Sequence, residues 1–281
     1  MKTVTFRNGV TVPALGMGTW NVGDTRAQRH NEIESLRAGL EAGLRVIDTA
    51  EMYGSGRSEA LVGEAVADCR DDVFLVSKVL PSNASYEGTL KACQRSLRYL
   101  GVERLDLYLL HWVGGEPLDE TIRAFEALKQ DGLIGAWGVS NFDVDDMEEV
   151  HALSEHCVAN QILYSLEHRG VEFDLLPYDR QEGVVTMAYS PLGQGGALLR
   201  HPALAQVAAR HETSLGPATA AQIALAFVLN RDNVLAIPKA GQVEHVRLNL
   251  AAQEIVLQVE DLAVLERAFP APRRKLSLAM I

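Results

Sequence analysis

The sequence predicts an α/β fold, a single closed (β/α)8 barrel spanning residues 1–281 with an N-terminal β-hairpin closing its bottom. Three observations carry this: eight short β-rich runs alternate with longer stretches of helical periodicity, an Asn-Gly hairpin signal precedes them, and no shift in composition divides the 281 residues. In TVTFRNGVTVPAL, polar and apolar residues alternate around Asn8-Gly9. That dipeptide readily supplies two positive φ angles, so a tight hairpin is expected over residues 3–13. The strand candidates follow as ALGMG (14–18), LRVIDT (44–49), VFLVSKV (73–79), LDLYLLH (105–111), IGAWGVS (134–140), CVANQIL (157–163), VVTMAYS (184–190) and VLAIP (234–238). Residues 28–42, 58–69, 86–99, 118–130, 143–156 and 217–229 place apolar residues three and four apart, as helices packed on a sheet do. Strand and helix alternating this often favour the closed TIM-barrel arrangement over an open doubly wound sheet. The ending, FPAPRRKLSLAMI, reads as a tail crossing the surface.

The formal charge of −11 and the lack of clustered Lys and Arg argue against a nucleic-acid partner; Arg273, Arg274 and Lys275 form too short a run. No basic segment leads into an apolar one, and no run of about 18 uncharged apolar residues occurs, so a cytoplasmic protein without membrane spans is expected. Cys69, Cys93 and Cys157 are odd in number and far apart, which suggests neither a disulfide framework nor a metal site. An acidic chain binds an anionic cofactor only where a few cations and helix N-termini make the field locally positive.

Barrels place their chemistry at the C-terminal ends of the strands. Asp48 closes LRVID, Lys78 closes VFLVSK, His111 closes LDLYLLH, and Tyr53 lies five residues beyond Asp48. Singly, each has an ordinary explanation as a turn cap, a snorkelling lysine or a half-buried imidazole. Together they form an acid catalyst. Lys78 would stabilise the Tyr53 phenolate and lower its pKa from about 10, Asp48 would hold Lys78, and His111 would orient the substrate oxygen.

In the order IDTAEMY, LVSKV, LYLLHW, GVSNF and AIPK, with GMGTW, QILYSL and MAYSPL, the chain resembles the aldo/keto reductase superfamily, particularly its short bacterial members of the methylglyoxal reductase type. The resemblance covers nearly the whole chain. It implies a nicotinamide cofactor bound without a Rossmann fold, hydride passing from the ring to a carbonyl carbon, and Tyr53 donating the proton. GMGTW is not the start of a dinucleotide fingerprint, since Asn21 occupies the third glycine position. The resemblance instead implies Gly18, Thr19 and Trp20 bordering the nicotinamide beside Asp48. It implies Ser140, Asn141 and Gln161 on the carboxamide, and Tyr189 stacked on the ring.

The pyrophosphate would lie along Ser190, Pro191, Leu192, Gly193 and Gln194, a short loop that implies easy cofactor exchange. Ile237, Pro238, Lys239 and Ala240 would follow, with Lys239 beside the 2′-phosphate of NADPH. The family's usual serine and arginine are replaced here by Ala240 and His245, while Asn249 still matches an adenine contact. Losing arginine's fixed charge and planar fork weakens 2′-phosphate binding, so NADPH is favoured less strongly and NADH becomes an alternative.

Trp20, Met52, Tyr53, His111 and Trp112 are the candidate substrate wall. A brief loop after His111 implies a shallow pocket suited to small aldehydes and 2-oxoaldehydes. Two other readings share the barrel: a nicotinamide-binding regulatory subunit, and an aldolase using Lys78 as a Schiff-base amine with Asp48 as its base. A monomer is the family-level expectation.

Overall fold

The computed structural model describes residues 1–281. β1 (Thr3–Thr5) and β2 (Thr11–Pro13) form the antiparallel hairpin. Its turn differs from the two-residue form expected, because Gly9 (φ 86°) has a positive φ and Asn8 does not. Gly9 N donates to Phe6 O (2.8 Å) and Phe6 N to Val10 O (2.9 Å), making a three-residue loop with glycine at its left-handed position. Phe6 is thereby paired and turned inward, where its ring stacks on Phe74 with centroids 5.2 Å apart. Lys2 Nζ bonds Leu229 O (2.9 Å) and Arg231 O (2.7 Å), fixing the hairpin across the barrel bottom.

The barrel strands are β3 (Met17–Gly18), β4 (Val46–Asp48), β5 (Phe74–Val79), β6 (Leu105–Leu110), β7 (Ile134–Ser140), β8 (Cys157–Leu163), β9 (Val185–Tyr189) and, after a small antiparallel pair β10 (Glu212–Thr213) and β11 (Gly216–Pro217), β12 (Val234–Ala236). The eight pair in parallel from β3 through β9 to β12. The seam between β12 and β3 is closed by Ala236 N to Ala14 O (2.9 Å), Gly16 N to Ala236 O (2.8 Å) and Gly18 N to Pro238 O (3.1 Å). Backbones approach closely there: a Cβ on Gly18 would stand 2.6 Å from Ile237 O. The glycines of GMG are therefore required by barrel closure.

Around the sheet lie α1 (Arg29–Glu41), α2 (Arg57–Val66), α3 (Tyr86–Leu100), α4 (Leu118–Gln130), α5 (Val144–Leu153), α6 (Leu175–Gln181), α7 (Pro202–Ala208), α8 (Ala220–Leu229), α9 (Val243–Ala251) and α10 (Val259–Ala268). Local chemistry sets several boundaries. α5 starts after a capping box between Asp143 and Asp146, and Ser85 caps α3, which ends at left-handed Gly101. α8 begins at Ala220 instead of the expected residue 217, because Pro217 is used in β11 and Thr219 with Gln222 forms the capping box. No helix is long and apolar enough to cross a membrane. Cys93 and Cys157 are buried free thiols, pushed up to about 12 by burial.

One buried acid outside the barrel opposes stability. Asp179 on α6 is fully buried and accepts from Thr186 Oγ1 (2.9 Å). Its Oδ1 has no donor, nor has Oδ1 of the neighbouring Asn160, whose Nδ2 is committed to Phe142 O (2.9 Å). A proton on Asp179 would serve both acceptors. Burial, against the hydrogen bond from Thr186, pushes this carboxyl up to about 8. With the folded pKa above the unfolded value of 3.8, the folded state binds the extra proton between these values, and stability falls as pH rises from about 4 to about 8. Asp179→Asn should therefore be more stable than the parent at pH 8, by on the order of a few kcal/mol, with the gap closing towards pH 4. Urea unfolding at a series of pH values checks this; a variant less stable at pH 8 would contradict it.

Candidate active site

Parallel register gathers the strand ends into one layer. Asp48 pairs with Gly18 on one side and Val76 on the other; Lys78 lies two residues beyond Val76 and pairs with Leu109. Lys78 points into the barrel and has no solvent exposure. Its ammonium donates to Asp48 Oδ2 (2.7 Å), Thr49 O (2.9 Å) and Tyr53 Oη (3.2 Å), which uses all three protons. Burial pulls the Lys78 pKa down, but Asp48 and Tyr53 raise it by more, so it remains a cation. The other Asp48 oxygen accepts from Gln161 Nε2 (2.7 Å).

Tyr53 sits on the loop from β4 to α2. Gly54 (φ 56°), Ser55 (φ 54°) and Gly56 (φ 90°) make a left-handed run that turns the chain immediately after it. Burial raises the Tyr53 pKa above its ordinary 10, Lys78 lowers it, and Asp48 raises it. The sign expected for Lys78 is found, but desolvation is larger and the phenol is held protonated. His111 follows β6, with its ring 5.8 Å from that of Tyr53. Burial, reinforced by the Lys78 charge, pushes the imidazole down to about 2, so it is neutral. Its Nδ1 is buried without a partner. A buried acceptor is cheaper to leave unpaired than a buried N–H, which favours the proton on Nε2.

The three residues expected at a nicotinamide carboxamide bond one another, the Asp48 carboxylate and the His111 backbone. Asn141, in the left-handed region (φ 59°), donates through Nδ2 to His111 O (3.1 Å) and Ser140 Oγ (3.1 Å), and accepts from Tyr189 Oη (2.8 Å). Ser140 Oγ donates to Gln161 O (2.9 Å). Gln161 thus orients Asp48, a role that sequence spacing did not reveal. Also missed was Ser58, whose Oγ bonds Thr19 Oγ1 (2.9 Å) while Thr19 Oγ1 donates to Asp48 O (2.8 Å). Glu51 was missed too: it accepts from Leu80 N (2.7 Å), Asn83 Nδ2 (2.9 Å) and Arg95, tying together the loops after β4 and β5. A carboxylate beside the Tyr53 loop was the only available signal.

Beyond Tyr189, the backbone is left-handed at Ser190, Gly193, Gln194 and Gly195. Gly193 N, Gly195 N and Gly196 N bond back to carbonyls of this short loop, giving it a compact curved form beside Pro191 and Leu192. Across the seam from Gly18, Lys239 is exposed and makes no ion pair, a free cation at the mouth of an acidic chain. Ile237, Pro238 and Ala240 around it are buried; His245 is exposed on α9 and Asn249 is buried. A free cation, a glycine-lined loop and a half-buried aromatic ring in Tyr189 fit the phosphates and ring of a dinucleotide.

Residues 14–269 match the aldo/keto reductase family. The chain belongs to that family. It is 46% identical to methylglyoxal reductase YeaE of Escherichia coli, with the alignment covering 100% of this chain and 99% of that one. It is 36% identical to a glyoxal reductase of Bacillus subtilis over 92% of this chain and 90% of the relative. Among solved structures, an aldo-keto reductase from Klebsiella pneumoniae in complex with NADPH superposes with a TM-score of 0.95 at 47% identity, covering 100% of this chain and 99% of that one.

Apolar side chains flank the candidate site. Trp20 and Met52 are 46% and 40% exposed, and Trp112 is half-buried with its ring 4.8 Å from that of His111. Schiff-base chemistry does not fit Lys78: a nucleophilic amine needs a free lone pair, whereas this nitrogen is a buried ammonium with every proton engaged. Because the Lys78–Asp48 pair is excluded from water, removing either partner strands the other's charge. Lys78→Met and Asp48→Asn should each cost about 3–5 kcal/mol, and the double variant should recover part of that loss. Denaturant unfolding of the four proteins checks the cycle; strictly additive losses would contradict direct coupling.

Proposed function

We propose that this reductase reduces small aldehydes and 2-oxoaldehydes, methylglyoxal among them, to alcohols with NADPH as the preferred donor. The observation that carries the reading is the buried Lys78 ammonium bonded to both Asp48 and the Tyr53 phenol beside a neutral His111. Bound nicotinamide supplies hydride to the carbonyl carbon. As negative charge develops on the carbonyl oxygen, Tyr53 Oη donates its proton, and an alkoxide is basic enough to take it from a phenol whose pKa is raised. Lys78 stabilises the phenolate left behind, offsetting part of the desolvation that resists it. His111, neutral and protonated on Nε2, donates a hydrogen bond that aims the substrate oxygen. Asp48, held by Gln161, keeps Lys78 in place.

On the cofactor side, Ser140 and Asn141 would meet the carboxamide, Tyr189 the ring, Ser190 to Gln194 the pyrophosphate, and Lys239 with His245 and Asn249 the adenosine end. The NADPH complex of the Klebsiella relative and the free Lys239 cation support NADPH; His245 in place of arginine narrows the margin over NADH. Trp20, Met52 and Trp112 form an exposed wall suited to small, weakly hydrated carbonyl compounds, and similarity to the methylglyoxal and glyoxal reductases supports that class.

With a panel of methylglyoxal, glyoxal and aromatic aldehydes, the protein should oxidise NADPH faster than NADH at equal concentration. Tyr53→Phe should lower kcat by roughly 10²–10⁴-fold while its NADPH affinity stays within about twofold of the parent. Loss of NADPH oxidation over the whole panel, or a Tyr53→Phe variant with full turnover, would defeat the reading.

A further inference from the structure

Glu32 lies in the first turn of α1, yet its side chain is buried, at 2% exposure. Oε2 accepts from Gly23 N (3.0 Å) in the loop that follows Trp20, while Oε1 is buried with no donor. One turn later, Ser35 Oγ donates to Ala240 O (2.8 Å), so α1 packs directly on the segment that carries Lys239. A Cβ on Gly241 would stand 3.3 Å from Lys239 Nζ and 3.9 Å from Glu32 Cγ. The Lys239 ammonium and the Glu32 side-chain stem therefore flank the same glycine, although the two residues form no ion pair with each other. Glu244 and His245 are exposed on α9, and Arg29 on α1 is engaged by Glu64.

We propose that Glu32 is a specificity-determining residue for the adenosine end of the cofactor, weakening the hold of Lys239 on a 2′-phosphate while leaving a 2′-hydroxyl unopposed. The inference rests on the reading that Lys239 takes the 2′-phosphate. A phosphate has only acceptors and carries negative charge, so a carboxylate whose stem packs on the same glycine as its cation repels it, through a medium poorer in screening than water on the buried side. A ribose hydroxyl is a donor, and an acceptor without a partner costs it nothing. With His245 where an arginine would add fixed positive charge, Glu32 offsets much of the field that Lys239 supplies. The discrimination between the two cofactors is thus set by α1 as well as by the segment after β12.

The test is calorimetric titration of 5′-AMP and of adenosine 2′,5′-bisphosphate into the parent, Glu32→Gln and Lys239→Ala, which reads the 2′-phosphate without turnover. Glu32→Gln should tighten the bisphosphate by about tenfold and leave AMP within about twofold. Lys239→Ala should weaken the bisphosphate alone. If Glu32→Gln leaves both ligands unchanged or loosens them equally, Glu32 merely anchors Gly23 and the proposal is overturned. If Lys239→Ala alters neither ligand, the placement of the phosphate beneath the proposal is wrong. Should Glu32→Gln melt early by circular dichroism, Glu32→Asp withdraws the charge by one methylene, and a smaller shift in the same direction is expected; an unchanged ratio would overturn the proposal.

Discussion

The site depends on one constraint: an ammonium with no exposure to water must have its charge and all of its protons satisfied by the barrel interior. Burying an ion costs several kcal/mol even after relaxation. Asp48, Thr49 O and Tyr53 Oη offset that cost, and each comes from β4 or the loop that follows it. Satisfying Lys78 therefore positions the phenol. The requirement propagates outward, since Asp48 is held in turn by Gln161 on its side chain and Thr19 on its carbonyl. Segments far apart in sequence are thus fixed by one charge.

Two opposing effects act on the neighbouring titratable groups. Desolvation and the Lys78 charge both act against an imidazolium, so His111 is neutral and does not titrate near neutrality. For Tyr53 they oppose each other, and desolvation is larger. The phenol thus holds its proton, and Lys78 offsets part of the cost of a phenolate. The same balance appears outside the barrel at Asp179, where no cation stands against burial and the carboxyl is raised.

Much of this was legible in the sequence. Strand ends could be placed because an apolar run terminated by Asp, Lys or His is unusual enough to read, and barrel topology sends those ends to one mouth. The hairpin's existence was legible at Asn8-Gly9, but its turn depended on Phe6 packing against Phe74, a contact 68 residues away. The start of α8 depended on Pro217 being drawn into a two-residue strand. Side-chain networks were the least visible. Gln161 reads equally well as a cofactor ligand, and its bond to Asp48 spans 113 residues. Glu32 carried no signal, because a carboxylate in the first turn of a helix is normally solvated and favoured by the helix dipole. Asn21 was enough to exclude a dinucleotide fingerprint at Gly16 and Gly18, but the physical reason for these glycines, close backbone approach around the β12–β3 seam, was visible only in the fold.

Burial keeps Tyr53 a phenol despite the ammonium beside it. Labelling tyrosine at Cζ with carbon-13, assigning Tyr53 by comparison with Tyr53→Phe, and titrating its chemical shift between pH 6 and about 11 tests this directly. The midpoint of any phenolate transition should lie above pH 10. A phenolate transition below about pH 9 would contradict the account and return Lys78 to the dominant role.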